Sequence, residues 1–154
     1  MAKEVERKFL VANDSWKDLV SESIDILQAY ISHRVEGTVR LRLANNKAYL
    51  TLKGRTNGIE RHEWEYEIPF KDGSEMIENK IYEGDYISKT RNFVRYENLN
   101  WEVDVFHGSL EGLILAEIEL PDSDTPIELP PFIGEEVSGD PRYFNSNLLK
   151  HFGS

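Results

Sequence analysis

Apolar and charged residues take turns along most of this chain. Glu4-Val5-Glu6-Arg7-Lys8-Phe9 sets the pattern, with Glu4, Glu6 and Lys8 at one parity and Val5, Arg7 and Phe9 at the other. Successive side chains of a β-strand point to opposite faces, so two carboxylates and an ammonium would share one face. An edge strand with one solvated side could look the same, so the weight rests on whether other segments repeat it. They do. Thr38-Val39-Arg40-Leu41-Arg42-Leu43 alternates strictly, Asn45-Asn46 supplies a tight turn, and Ala48-Tyr49-Leu50-Thr51-Leu52-Lys53 returns as the second arm of a hairpin. Arg61–Ile68, Ile87–Arg95, Trp101–Phe106 and Leu113–Leu120 alternate as well, and Ser23–Val35 reads as a further strand. Asn98-Leu99-Asn100 is expected to turn the Ile87 strand into the Trp101 strand.

Helical signals are few. Asn13-Asp14-Ser15 caps a short helix through Trp16, Leu19 and Val20, and Glu75–Tyr82 places Met76, Ile77 and Ile81 inward. Gly139-Asp140-Pro141 opens a C-terminal helix to about His151, with proline in its first turn and Tyr143, Phe144, Leu148 and Leu149 on its apolar side. Pro121–Pro131, rich in proline and acid, reads as a connector. Trp16, Trp64 and Trp101 read as core, and His62 falls on an apolar face, packed rather than catalytic. With no internal repeat and no linker, residues 1–154 form one domain.

What sets these strands apart is that charge is sorted strand by strand. The Arg40/Arg42 hairpin and the Lys89/Arg91 strand are basic on their polar face. The Glu63/Glu65/Glu67, Glu102/Asp104 and Glu117/Glu119 strands are acidic, and the first strand carries both signs. A half-exposed antiparallel sheet calls for polar residues of mixed identity on its wet side, not for this sorting. Three glutamates on one strand face repel one another unless cations or metal lie opposite. A barrel with charge inside and apolar faces packed under outer helices satisfies both requirements. The predicted class is therefore α+β, an antiparallel β-barrel with a charged lumen.

Composition narrows the function. The net charge of −10, from 28 acidic and 18 basic residues, opposes nucleic acid and anionic membrane unless cations are gathered locally. No apolar run approaches the roughly 20 residues that span a bilayer, and Met1 leads straight into charge, which predicts no signal peptide. The absence of cysteine excludes a disulfide framework and a thiolate site, and makes the cytoplasm the expected location. The four histidines show no metal-ligand spacing, and no phosphate-binding glycine loop or nucleophile elbow is present.

The sorted charge itself has a use. Lys8, Arg40, Arg42, Lys53, Lys89 and Arg91 supply forks and point charges for phosphate oxygens. Glu4, Glu6, Glu117 and Glu119, with Glu65, Glu67 and Asp104, supply hard oxygen ligands for Mg²⁺ or Mn²⁺. A metal bridging carboxylates to phosphate would leave neither cluster uncompensated, as metal-assisted phosphoryl chemistry requires.

The ordered series Glu4-Val5-Glu6-Arg7-Lys8, Val39-Arg40-Leu41-Arg42, Thr51-Leu52-Lys53-Gly54, Glu65-Tyr66-Glu67-Ile68, Lys89-Thr90-Arg91, Trp101–Phe106 and Ala116-Glu117-Ile118-Glu119 resembles the CYTH domain, the triphosphate tunnel metalloenzymes. The tail from Gly134 to Asn145 is similar to the end of small bacterial members. The resemblance implies an eight-stranded antiparallel tunnel that takes a small-molecule triphosphate and divalent metal. By position it implies that Glu4, Glu6, Glu117 and Glu119 hold the metal. Glu65, Glu67 and Asp104 would serve a second metal or the attacking water, and Lys8, Arg40, Arg42, Lys53, Lys89 and Arg91 the phosphates. Arg95 and Lys150 are looser candidates for further phosphate contacts.

Members include inorganic, thiamine and RNA triphosphatases and class IV adenylyl cyclases. Hydrolysis of inorganic tripolyphosphate is the favoured activity, because a cyclase needs a purine pocket that nothing in this short chain marks. Thiamine or nucleoside triphosphate hydrolysis, cyclisation of ATP, and capture of polyphosphate without turnover stay open. Seven carboxylates are more than capture alone requires. No nucleic-acid or membrane partner is expected, and a homodimer is compatible with the sequence.

Overall fold

The computed structural model describes residues 3–153; Met1, Ala2 and Ser154, the ends of the domain read from the sequence, lie outside the described residues. Within them the strands are β1 (Lys3–Val11), β2 (Val20–Arg34), β3 (Gly37–Ala44), β4 (Lys47–Gly54), β5 (Glu60–Ile68), β6 (Glu83–Tyr96), β7 (Leu99–Phe106), β8 (Ile114–Glu119) and β9 (Ile133–Glu136). The helices are α1 (Phe70–Glu78) and α2 (Leu148–Phe152). Neighbours pair antiparallel in the order β5-β4-β3-β2-β6-β7-β8-β1, and β5 pairs with β1 to close an eight-stranded barrel. The short β9 lies outside the ring, paired with β1.

β1 is the seam. Its residues Lys3–Val5 pair with β5, Glu6–Leu10 with β8, and Phe9 and Val11 with β9. The β1–β5 contact is thus only three residue pairs long, after which β9 takes over that edge of β1. The hairpin turn falls where the sequence predicts, with Asn45 and Asn46 at φ 51° and 61°, the left-handed pair that matches strand twist. The β6–β7 turn sits one residue earlier than expected, on Glu97 and Asn98 at φ 48° and 65°.

Alternation sends the apolar parity outward, but helices cover little of it. Val5, Phe9, Val94, Trp101, Val103, Ala116 and Ile118 on the outer faces of β1, β6, β7 and β8 form the main core with Trp16, Leu120 and Phe132. The cover over this face is the Pro121–Pro131 stretch read as a mere connector. Leu120 and Phe132 anchor it, and backbone bonds tie it to β1 (Leu120 N–H to Val5 O, 2.8 Å; Ala12 N–H to Phe132 O, 2.7 Å). Burial of a side chain such as Phe132 contributes roughly 1.5–3 kcal/mol, so a few apolar anchors suffice to hold an otherwise polar segment. Trp16 sits in a single 3-10 turn, Ser15–Leu19.

α1 lies on β3 and β4, beginning after Pro69 and ending before the left-handed Lys80, several residues ahead of the expected Glu75–Tyr82. It approaches so closely that a Cβ at Gly73 would stand 2.6 Å from that of Ala48. α2 is shorter than the expected helix and is preceded by 3-10 turns at Pro141–Tyr143 and Asn145–Asn147. It does not lie on the outer wall. Leu148 joins Leu110 and the lumen-parity residues Ile87, Phe106 and Leu115 in a second apolar cluster that stops part of one barrel end. Trp64 corrects the sequence reading: it is 43% exposed, stacked on the exposed His62 at 5.7 Å, because no element covers the outer face of β5. No helix among the described residues is long and apolar enough to cross a membrane.

Candidate active site

The other parity faces the lumen, and the strand registers decide which charges meet there. Glu6 lies opposite Glu119 and Lys8 opposite Glu117 across β1 and β8. Thr38 lies opposite Lys53 and Lys53 opposite Glu63, while Arg91 lies opposite Asp104. The central cavity is lined by Glu4, Glu6, Arg40, Arg42, Lys53, Glu63, Glu65, Arg91, Glu102, Glu117, Glu119 and Asn145. An acidic strip from β1, β7 and β8 therefore faces a basic wall from β3, β4 and β6.

Charges this deeply buried persist only when paired, and nearly every lumen cation is. Lys53 Nζ sits 2.9 Å from Glu4 Oε1 and 3.3 Å from Glu63 Oε2. Lys8 Nζ is 3.6 Å from Glu117 Oε1 and donates to the Tyr143 carbonyl at 2.8 Å. Arg40 Nη2 reaches Glu65 Oε2 at 3.8 Å, and the Thr51 hydroxyl bridges them, accepting from Arg40 and donating to Glu65 at 2.8 Å. Arg91 grips Asp104 through two bonds of 2.8 and 2.9 Å, and Lys89 Nζ donates to the same carboxylate at 2.7 Å. Lys89 and Asp104 are fully buried.

The electrostatic balance differs between the two walls. Burial pushes the Glu6 carboxyl well above its ordinary range, and Glu117 and Glu4 push it further. Burial also raises Glu102 and Glu119. Burial alone would raise Glu117, but Lys8, Arg91 and Lys89 hold it well below the usual carboxylate range. On the basic wall, burial lowers Lys89 to about 7 despite Asp104. It lowers Arg42 to about 10, with Arg40 and Arg91 adding to the effect.

The acidic strip fits a hard divalent cation in its chemistry. Its donors are carboxylate oxygens, one of them, Glu117 Oε1, is buried without a hydrogen-bond partner, and three of its carboxyls are pushed toward protonation by negative charge and burial. Among the described residues the acids stand in a row and are not gathered into a ready coordination shell. That suits a hard divalent ion that keeps several of its waters and takes one or two carboxylates.

Of the residues read from the sequence, Glu4, Glu6, Glu117, Glu119, Arg40, Arg42, Lys53, Arg91 and Glu65 come together around the cavity. Lys8 lines the adjoining port with Tyr30, Arg61 and the tail residues Phe144–Ser146. Asp104 and Lys89 lie in the wall behind Arg91. Asp104 is buried, accepts from Arg91 through both oxygens and from Lys89, and does not line the cavity, which departs from the part expected of it. Glu67 is exposed, paired in register with Tyr49, and away from the cavity. Arg95 is exposed, with one nitrogen 3.4 Å from Asn100 Oδ1 and away from the cavity, and Lys150 is exposed on α2.

Sequence reasoning missed Glu63, Glu102, Gln28, Thr51 and Asn145. Glu63 shares the parity of Glu65 on one alternating strand, which was the available signal. Gln28 and Asn145 carry no charge, and the sequence holds no signal for them.

The CYTH domain matches this chain over residues 2–151. An inorganic triphosphatase of Acetivibrio thermocellus is 46% identical over 98% of this chain and 96% of its own length. An inorganic triphosphatase of Nitrosomonas europaea is 34% identical over 94% and 95%. A crystal structure of an inorganic triphosphatase superposes with a TM-score of 0.67 at 32% identity, over 94% of this chain and 96% of that one.

Proposed function

The chain belongs to the CYTH domain family, and from that premise we propose that it hydrolyses inorganic tripolyphosphate to pyrophosphate and orthophosphate with a divalent cation, Mg²⁺ or Mn²⁺. The observation that carries the proposal is one closed lumen in which an acidic strip faces a basic wall. Such a lumen offers cations to a polyanion and carboxylates to a metal ion at the same time. Near-full-length similarity to two inorganic triphosphatases supports it. A cytoplasmic setting goes with it, and a homodimer is the assembly to test by sedimentation.

Glu4, Glu6, Glu117 and Glu119 would hold the cation, which when bound supplies Lewis-acid charge at the phosphate oxygens. Arg40, Arg42, Lys53 and Arg91 bind the triphosphate oxygens, with Lys8 at the port side. In the free protein Lys53 and Arg40 lean on Glu4, Glu63 and Glu65, so these carboxylates also keep the cations poised for the incoming anion. Glu65 takes the proton from the attacking water: Thr51 fixes its Oε2, and its side chain is 41% exposed. Asp104 positions Arg91 and Lys89 from behind.

The deciding assay is phosphate release from tripolyphosphate, ATP and thiamine triphosphate with Mg²⁺ and then Mn²⁺, alongside a search for cyclic AMP. Tripolyphosphate should be the preferred substrate. Cyclic AMP as the main product would overturn the reading, and tight tripolyphosphate binding without turnover would favour a capture module.

A second measurement follows from Glu6. Its raised native pKa favours a proton on the acidic strip, and the metal needs carboxylate, so metal uptake should release protons and tighten as the pH rises above the ordinary carboxylate range. Calorimetry of Mn²⁺ binding in buffers of different ionisation enthalpy reads this directly. A heat independent of the buffer would remove Glu6 from the metal's ligands.

A further inference from the structure

Arg42 differs from the other cations of the central cavity. Lys8, Arg40, Lys53, Lys89 and Arg91 each have a carboxylate oxygen within 4.0 Å, whereas among the described residues Arg42 has none. Its partner is a neutral amide. Gln28 Oε1 accepts from Arg42 Nε at 3.2 Å and from Nη2 at 3.1 Å, and the two residues are paired directly across β2 and β3. A guanidinium offers donors only, so the amide oxygen must face it. Gln28 Nε2 is then left without a partner, in a side chain with no exposed surface. An orphaned buried donor is costly, so the orientation of this amide is set by Arg42 alone.

The placement gives that neutrality a purpose. Arg42 lines both the central cavity and the wider mouth formed with Asn45, Lys47 and Tyr49. An anion entering from that mouth meets Arg42 as the one guanidinium already aimed and not yet spent on a carboxylate. We propose that Gln28 is a positioning and specificity residue that holds Arg42 oriented but uncompensated, making Arg42 the capture point for the phosphate chain. A glutamate of the same shape would aim the guanidinium equally well and cancel its charge. The lowered pKa of Arg42, from burial and from Arg40 and Arg91, reflects the same lack of a counter-ion. The inference rests on the triphosphate reading of the lumen, but not on turnover.

The test is calorimetric binding of inorganic tripolyphosphate in EDTA, with steady-state kinetics beside it. Gln28→Glu should weaken binding by roughly a hundredfold, and Gln28→Met by about tenfold, the scale of a charge-assisted contact. Both should raise KM far more than they lower kcat. In an Arg42→Met background, Gln28→Met should cost less than about twofold, because its target is gone. Mn²⁺ binding by the two Gln28 variants reports that the barrel is intact. Binding to Gln28→Glu as tight as to the wild type, or a full Gln28→Met penalty without Arg42, would overturn the inference, as would a wild type that does not bind tripolyphosphate. If the wild type binds but hydrolyses nothing while the variants weaken as expected, the hydrolase reading falls and the capture role of Gln28 stands.

Discussion

Glu6→Gln should abolish tripolyphosphate turnover, by about 10³-fold or more, in a protein that remains folded. Glu6 projects into the lumen from the middle of β1, between Glu4 and Lys8 and opposite Glu119. The lost activity corresponds to several kcal/mol of charge stabilisation, the scale on which a bound cation acts at phosphate oxygens. The fold should tolerate the change because burial, Glu117 and Glu4 already push Glu6 toward its neutral form. Glutamine mimics that protonated acid in shape and charge. Phosphate release, thermal melting and Mn²⁺ binding measured together check the expectation. Wild-type turnover in the variant would remove Glu6 from the site.

Asp104→Asn should fail in the opposite way, through the fold. Asp104 is buried with Lys89 and Arg91 both bonded to it, and asparagine would leave two buried cations facing a neutral amide. Removing one partner from a buried pair costs about 3–5 kcal/mol, which for a chain of this length lowers Tm by about 10 °C or more. The sign with pH follows. Burial alone would raise Asp104, but Lys89 and Arg91 hold it below its ordinary pKa. Its contribution is therefore complete above the ordinary carboxylate range and lost as acid takes the pH down through the lowered native value. A melt of Asp104→Asn within a few degrees of wild type would show that Lys89 sheds its proton at little cost, which its pKa of about 7 makes the competing outcome.

The two acids look alike in the sequence, each at the polar parity of an alternating strand. Their different fates come from register. Glu6 is buried beside Glu117 and Glu4, so burial and like charge leave it short of compensation, whereas Asp104 faces Arg91 and is over-compensated. Glu67 makes the same point: it shares the parity of Glu63 and Glu65, yet it pairs with Tyr49 near the end of β5, exposed and off the cavity lining.

Elsewhere the misreadings share one cause. Trp64 and Trp101 have the same alternating surroundings, but only Trp101 lies beneath a covering segment. The acid- and proline-rich stretch after Leu120 reads as connector by composition, and becomes cover because Leu120, Ile127 and Phe132 find the outer faces of β1, β7 and β8. α2 reads as an outer helix and becomes a stopper because Leu148 finds Ile87, Phe106 and Leu115 at the barrel end.

The amino-acid sequence by itself determined the eight strands of the ring to within a few residues at their ends, though not β9, and also which parity of each strand is charged and that the charges are sorted by sign. All of these are local consequences of a period of two, and with the CYTH resemblance they were enough to reach the barrel and most of its lumen. Only the tertiary structure decided which charges touch, which strand faces stay bare, and that Arg42 is held by Gln28 with no carboxylate near it. Pairing across strands depends on register and shear, which join residues far apart along the chain and leave no trace in the alternation of any one strand.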